Sequence, residues 1–279
     1  MPLTFYGDAS WNEADVGPPV MVVSGFLTSA KRWCGFEKKW SKMLARFEIP
    51  YFRMTDFAQC TGPFKGWRER EPDRRALIQS ATAIISEFAW ASFGAGLLTE
   101  DWKLCNQQYM MEEEGFFPYP LCGWTCIDHV RLWCNGQNRA RKPYPFKDVV
   151  FFFERGDPHQ GHLERLAYED RGKIVHFEDK IPKDGAPPIG AFQAADFAAW
   201  HVRNVMGKFE AGKLDRFRTD FELLFANVEW QNHHADFSMT RAEDRPKHPL
   251  YRVTNDDASR NQEPSLIRFC QDYGKIPKR

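Results

Sequence analysis

The run Val149–Glu154 constrains the fold of this chain more than any other segment. Its five apolar residues, all β-branched or aromatic, end at a single acid and are followed by a turn at Gly156-Asp157-Pro158. A continuous apolar run of this length predicts a central strand covered on both faces, whereas a strand with one solvated face alternates apolar and polar residues. The sequence therefore favours an α/β fold in which helices cover both faces of a sheet.

The other patterned segments predict a mixed five-stranded sheet. Two apolar runs at 3–8 and 20–26, separated by a turn that contains Gly and Pro, predict a hairpin. Further strands are predicted over 93–99 and 173–177, and a short extended piece over 51–57. Apolar residues at helical spacing predict helices over 31–47, 73–90, 119–135, 162–169 and 189–206.

The helix predicted over 31–47 has the clearest two-sided pattern. Apolar residues recur on one face and basic residues lie on the other, so we expect the first set to be buried and the second exposed. The apolar set is Trp33, Phe36, Trp40, Met43, Leu44 and Phe47. The basic set is Lys38, Lys39, Lys42 and Arg46.

Composition narrows the class of protein. The chain has 279 residues with 38 Lys and Arg against 38 Asp and Glu, which argues against coating nucleic acid through bulk charge. The basic residues Arg139, Arg141 and Lys142 could contact a phosphate backbone, but a solvated loop is the favoured interpretation.

Seven cysteines without a C-x-x-C spacing indicate reduced, mostly buried thiols. With neither a signal peptide nor a membrane-spanning run recognisable, we expect a cytoplasmic protein.

Three acids occupy places where a metal site can form. Asp8 follows the first strand run, Glu154 ends the central strand, and Asp196 lies on the helix predicted over 189–206. Acids that end neighbouring strands emerge together at the sheet edge, and an acid on a helix beside that edge completes the set. Carboxylates suit Mg²⁺ or Mn²⁺, and two such ions can activate water and stabilise the leaving oxygen of a phosphodiester. The ordinary alternative is three unrelated strand-terminal and surface acids.

Two further polar residues are candidates beside this cluster. Asp56 lies near the end of the extended piece and could supply a fourth acid. Gln193 precedes Asp196 by about one turn on the same helix face, where it could orient a ligand or simply pack.

The segments 5–10 (Phe-Tyr-Gly-Asp-Ala-Ser), 149–154 and 192–197 (Phe-Gln-Ala-Ala-Asp-Phe) carry a family resemblance. In order and spacing they are similar to the opening strand, the acid-terminated strand and the Gln-x-Ala-Asp helix of domain-of-unknown-function family 3800, a bacterial and phage family grouped with ribonuclease H-like folds. The resemblance implies a ribonuclease H-like domain over residues 1–205, with Asp8, Glu154 and Asp196 as its catalytic and metal-binding residues. Segment 51–57 resembles a further piece near the site, with Arg53 where many relatives carry His. Residues 206–279 are expected to form a C-terminal helical or loop extension packed on the same domain.

Two hypotheses of different classes follow. The intact acids favour a metal-dependent phosphodiesterase or nuclease that acts on nucleic acid through Mg²⁺ or Mn²⁺. Ala9, in place of the family's usual acid after Asp8, and the zero net charge favour a catalytically silent module that binds nucleic acid or a protein partner. A thiol protease is disfavoured, because the segment 122–126 (Cys-Gly-Trp-Thr-Cys) only superficially resembles the cysteine-protease pattern. The sequence leaves open the substrate, whether DNA, RNA or a nucleotide, and the oligomeric state.

Overall fold

The run Val149–Glu154 forms a strand with neighbours on both sides, in a computed structural model that describes residues 2–11, 19–139, 144–211, 213 and 229–234. The strands are β1 (Leu3–Trp11), β2 (Val20–Ser29), β3 (Ala91–Leu98), β4 (Val149–Glu154), β5 (Val175–Glu178) and β6 (Glu229–His234). The α-helices are α1 (Ala30–Arg46), α2 (Met54–Gln59), α3 (Glu71–Phe88), α4 (Thr99–Tyr109), α5 (Pro118–Arg139), α6 (Gln160–Arg171) and α7 (Gly190–Glu210).

The strands form one mixed sheet in the order β5-β4-β1-β2-β3-β6. Strand β2 runs antiparallel to β1 and β3, whereas β4 is parallel to both β1 and β5. The α/β class and the five predicted strands within residues 3–178 are therefore confirmed. Strand β6, parallel to β3, is a sixth strand in the region predicted to form the C-terminal extension.

Several predicted boundaries are corrected by the structure. Strand β1 continues to Trp11 by pairing with β2, so Asp8 lies within the strand and does not end it. The extended prediction for 51–57 is wrong after Arg53, because Asp56 falls in the first turn of α2, where an acid favours the helix N-terminus. Helix α4 was not predicted.

The predicted domain boundary at residue 205 falls inside α7. Beyond that boundary, β6 pairs with β3 in the same sheet as the preceding strands. Residues 214–228 and 235–279 of the predicted extension lie outside the described residues.

Helices cover both faces of the sheet, as the central strand predicts. On one face, Phe5, Phe93 and Phe151 pack with apolar residues of α4, α5 and α6. On the other face, Phe26 packs with residues of α1, α3 and α7. In the described part of the chain, no helix combines the length and the apolarity needed to cross a bilayer.

Helix α1 confirms the two-sided pattern. The side chain of Ser29 caps its first turn by accepting a hydrogen bond from the backbone N–H of Arg32 at 3.4 Å. The helix buries Trp33, Phe36, Trp40, Met43 and Leu44, and it exposes Lys38, Lys39, Lys42 and Arg46. Phe47 is only half-buried, because the helix ends at Arg46.

Two glycines lie opposite each other where β1 and β2 cross the centre of the sheet. Gly7 pairs with Gly25, next to Asp8 on β1. A methyl group on Gly25 would lie 2.0 Å from the carbonyl oxygen of Tyr6 and 2.8 Å from the Cα of Gly7. The close approach of β1 and β2 beside the candidate site therefore requires glycine at position 25.

Gly25→Ala should destabilise the protein by about 3 kcal/mol or more, because the clash is with backbone that cannot move without breaking the β1–β2 pairing. The control is Gly136→Ala on the exposed side of α5, where a methyl group meets nothing within 4 Å among the described residues. That change should be neutral or stabilise by up to about 1 kcal/mol. Urea unfolding of both variants measures the difference, and similar midpoints for the two would contradict the close approach.

Candidate functional site

The parallel pairing of β1 and β4 places Asp8 beside Glu154. Tyr6 pairs with Phe152 and Gly7 with Phe153, so each acid is the next residue on its own strand. Because side chains alternate along a strand, Asp8 shares a face with Tyr6, and Glu154 shares that face with Phe152. Both acids therefore point toward the layer that contains α7. The prediction that they lie on neighbouring strands at the same end of the sheet is confirmed.

An aromatic cluster below the acids fixes this arrangement. The rings of Tyr6 and Phe152 stack across the two strands with centroids 5.0 Å apart. Phe192 of α7 meets the Tyr6 ring edge-to-face at 5.1 Å. Since Asp196 lies one helical turn beyond Phe192, this packing brings the third acid to the level of Asp8 and Glu154.

The start of α7 is held by a side chain from α1. The Glu37 carboxylate accepts hydrogen bonds from the backbone N–H groups of Gly190 and Ala191, both at 2.9 Å. Burial raises the pKa of Glu37, while these two hydrogen bonds oppose the rise. A carboxylate at this position satisfies unpaired N–H groups and interacts favourably with the helix dipole. The contact fixes α7, and with it Asp196, against the rest of the domain.

The three predicted acids meet around the ammonium group of Lys180. Its Nζ lies 2.5 Å from Asp8 Oδ2, 2.7 Å from Glu154 Oε2 and 3.3 Å from Asp196 Oδ1. The Lys180 side chain is 4% exposed and that of Glu154 is 24% exposed, so the cluster opens to solvent on the Glu154 side. Lysine was not among the predicted site residues.

Electrostatics in this cluster reflect burial and an excess of acids. Burial raises the pKa of Asp8 well above its ordinary range; Lys180 opposes this rise, and Glu154 adds to it. Burial likewise raises the pKa of Asp196. Burial alone would lower the pKa of Lys180, but the charges of the three carboxylates raise it above its ordinary value. Lys180 therefore stays charged, and it faces three carboxyl groups, of which Asp8 and Asp196 have raised pKa values.

The side chains of Gln193 and Asp196 also hold the segment that precedes α2. Asp196 Oδ2 accepts from the backbone N–H of Met54 at 2.5 Å. Gln193 Oε1 accepts from the backbone N–H of Phe52 at 2.6 Å and from the indole N–H of Trp40 at 3.1 Å. Through its side-chain oxygen, Gln193 thus ties the 52–54 segment to α7.

The other two sequence candidates lie on this segment but contact different groups. Asp56 accepts hydrogen bonds from Tyr51 and Thr61, each at 3.3 Å, within a local turn. Arg53 is exposed. Burial raises the pKa of Tyr51, and the charge of Arg53 opposes that rise. Among the described residues, the carboxylates that contact Lys180 Nζ belong to Asp8, Glu154 and Asp196, so the structure does not place Asp56 in the cluster.

Two residues beside the cluster were missed as site residues. Asp157, in the turn that ends β4, has its pKa raised to about 7 by burial and the charge of Asp8, against the opposing charge of Lys180. The Tyr119 hydroxyl is buried and has no hydrogen-bond partner among the described residues. Burial raises the pKa of Tyr119, and the charges of Asp157, Asp8 and Glu154 raise it further. Proximity of Asp157 to Glu154 in the sequence was a usable signal, whereas none marked Tyr119.

The weaker candidates from the sequence are not part of the cluster, as far as the structure describes them. Cys122 and Cys126 are buried, and burial raises the pKa of both thiols, which is the opposite of what a nucleophilic cysteine needs. Lys39 is exposed and forms an ion pair with Glu87 at 2.6 Å. The side chain of Arg139 and residues 140–143, with Arg141 and Lys142, lie outside the described residues.

Comparison of the chain with protein-family models, curated proteins and solved structures found no match. The class that the structure defines is therefore an α/β domain with a buried lysine–carboxylate cluster between β1, β4 and α7.

Stability should fall more steeply between pH 4 and pH 8 in the wild type than in Asp157→Asn. A carboxyl group whose pKa is raised to about 7 in the folded protein contributes its full stability only below the pKa of about 4 that it has in the unfolded chain, and this contribution is lost as the pH rises from there through 7. Asparagine mimics the protonated acid, so the two proteins should be most similar near pH 4 and the variant should be more stable at pH 8. Denaturant unfolding at each pH, with metal excluded, measures the effect. Asp184→Asn, at an exposed position, is the control and should follow the wild type. Parallel curves for wild type and Asp157→Asn would contradict the raised pKa.

Proposed function

We propose that this protein is a divalent-metal-dependent phosphodiesterase or nuclease that acts on nucleic acid through Asp8, Glu154 and Asp196. The observation that carries the proposal is the convergence of these carboxylates, from β1, β4 and α7, within 3.3 Å of one buried position that holds a positive charge. Such a position is uncommon in a structural core, because burying several acids together is costly unless cations compensate them.

We further propose that the domain is ribonuclease H-like and related to family 3800. Support comes from a mixed sheet with helices on both faces, in which the parallel neighbours β1 and β4 carry the first two acids. The third acid lies on α7 within the motif on which the sequence resemblance depends. These are the places that the resemblance implies for the three residues.

The donor set fits Mg²⁺ or Mn²⁺ in its chemistry, since carboxylate oxygens are hard ligands. In the described part of the chain, no group of three His, Cys, Asp or Glu side chains is arranged to hold a metal ion as it stands. The three carboxylates surround the Lys180 ammonium group. Asp8, Glu154 and Asp196 would hold the metal, which when bound supplies Lewis-acid stabilisation of charge on phosphoryl oxygens.

The remaining residues of the site bind and position. Asp196 and Gln193 fix the 52–54 segment, and Arg53 on this segment is exposed, so its guanidinium group is accessible to a phosphate. Arg203 lies two turns beyond Asp196 on α7, and its guanidinium donates to the carbonyl oxygen of Trp11 at 2.9 Å. Burial lowers the pKa of Arg203, and the charge of Asp196 opposes that change. An exposed arginine on the segment that Asp196 holds, and a second arginine whose charge interacts with Asp196, favour an anionic substrate.

A second candidate function is the catalytically silent module that binds nucleic acid or a protein partner. The observation that favours it is the Lys180 ammonium, which already contacts all three carboxylates. In that case the lysine permanently replaces a metal ion, and the cluster has a structural role.

Asp196→Asn should abolish metal-dependent hydrolysis and the stabilisation of the fold by Mg²⁺ or Mn²⁺. The change keeps the side chain's size and an oxygen for the Met54 N–H, but it removes a charge that a hard cation requires. Wild type at about 100 times the metal dissociation constant should gain about 2.7 kcal/mol by linkage. Melting curves with and without metal, beside assays on single- and double-stranded DNA and RNA with an EDTA arm, provide the measurement.

The matched control is Asp56→Asn, an identical chemical change on the segment that Asp196 holds. Among the described residues, the Asp56 side chain accepts its hydrogen bonds from Tyr51 and Thr61, so this variant should keep the metal response and the hydrolysis of the wild type. Equal metal stabilisation in Asp196→Asn and wild type would show that Asp196 is no ligand. A wild type that hydrolyses none of the four substrates would favour the silent module.

A further inference from the structure

The Lys180 ammonium occupies the point where the three carboxylates converge. An ammonium group has three N–H donors, and here three carboxylates lie at 2.5, 2.7 and 3.3 Å from the nitrogen. The arrangement is that of a small cation surrounded by oxygen ligands, with the cation supplied by the chain itself.

The cluster contains more acidic groups than one lysine can neutralise. When all three carboxyl groups are ionised, they carry three negative charges against the one positive charge of Lys180. A divalent cation balances this set better than an ammonium group does.

The segment that carries Lys180 is weakly held apart from this contact. Within the connection of residues 179–189 between β5 and α7, Lys180 is the one buried residue, and Ile181 is 41% exposed. The connection is fixed by a backbone hydrogen bond from Ile189 N to Lys180 O at 3.0 Å and by an ion pair between Arg155 and Asp179 at 3.9 Å. Withdrawal of the lysine side chain therefore removes little apolar contact from the core.

We infer that the position of Lys180 Nζ is the cation-binding site of this protein, occupied by the lysine in the metal-free state, and that a divalent cation binds there only by displacing Lys180. The inference rests on the proposed function in so far as it takes Asp8, Glu154 and Asp196 as metal ligands. It adds that the Lys180 ammonium group competes with the metal ion for the three carboxylates. Metal occupancy is then coupled to the conformation of residues 179–189.

Lys180→Met provides the test, with Lys183→Met as the matched control in the same connection. Methionine fills the space of the lysine stem without its charge, and Lys183 is exposed. Isothermal titration of each protein with MnCl₂, MgCl₂ and CaCl₂ gives the affinities. Removal of the competitor should tighten divalent binding by Lys180→Met by about tenfold or more, whereas Lys183→Met should match the wild type. The double variant Lys180→Met with Asp196→Asn should lose this gain, which locates the metal at the cluster.

Lys180→Met leaves the carboxylates without their counter-ion and should melt below the wild type in EDTA. If it fails to fold without metal, circular dichroism during metal addition becomes the readout, and metal-induced folding supports the inference. Lys180→Gln, which can still donate hydrogen bonds to the carboxylates, is the second variant and should also bind divalent cations more tightly.

The outcomes separate this inference from the proposed function. Tighter divalent binding by the Lys180 variants supports the inference even if no nucleic acid is cut, in which case the proposed function alone falls. Equal or weaker binding overturns the inference, and metal-dependent hydrolysis by the wild type would then leave the proposed function standing with Lys180 as a partner of the metal. A complete lack of divalent binding by wild type and variants overturns the inference and leaves the silent module.

Discussion

The site depends on the packing of α7 across β1 and β4. The rings of Tyr6, Phe152 and Phe192 form this contact, with centroid distances of 5.0 and 5.1 Å. Each ring precedes an acid by one repeat of its own element: two residues on a strand, and four residues on the helix. The positions of the three acids therefore follow from the positions of the three aromatic residues. The burial of apolar surface that stabilises the core also positions the carboxylates. Glu37 of α1 accepts hydrogen bonds from the first turn of α7 and so links the start of that helix to α1.

Local periodicity explains why much of this could be predicted. A continuous apolar strand and an amphipathic helix are set by neighbouring residues, so β4, α1 and α7 were recognisable, and with them Glu154 and Asp196. Asp8 was placed correctly for an incomplete reason, since β1 does not end there. What matters is that Gly7 pairs with Phe153, which aligns the next residues on two parallel strands. These local patterns were sufficient to predict the α/β class.

The parts that could not be predicted depend on the path of irregular chain. Lys180 reaches the cluster from the irregular connection between β5 and α7, and no repeat in residues 179–189 encodes the path of that connection. Likewise, the extended prediction at 51–57 failed because the backbone N–H groups of Phe52 and Met54 bond to side chains on α7, and a helix then begins. These hydrogen bonds join residues more than 140 positions apart in the chain. Such long-range partners are invisible to a local pattern.

A cluster selected for stability alone would not look like this one. Burying an ion costs several kcal/mol, roughly, and well-packed apolar residues often replace a buried ion pair without loss. Here three acids share one ammonium group. Burial raises the pKa of Asp8 and of Asp196, so the folded state disfavours the ionised forms of these two acids. The two functional hypotheses differ in what offsets that cost. In a silent module, Lys180 must hold the acids permanently, and a connection with little buried apolar surface is a poor support for a permanent role. In a metal-dependent enzyme, the lysine needs only to hold the acids until a divalent cation arrives, and a weakly packed connection is what allows it to leave.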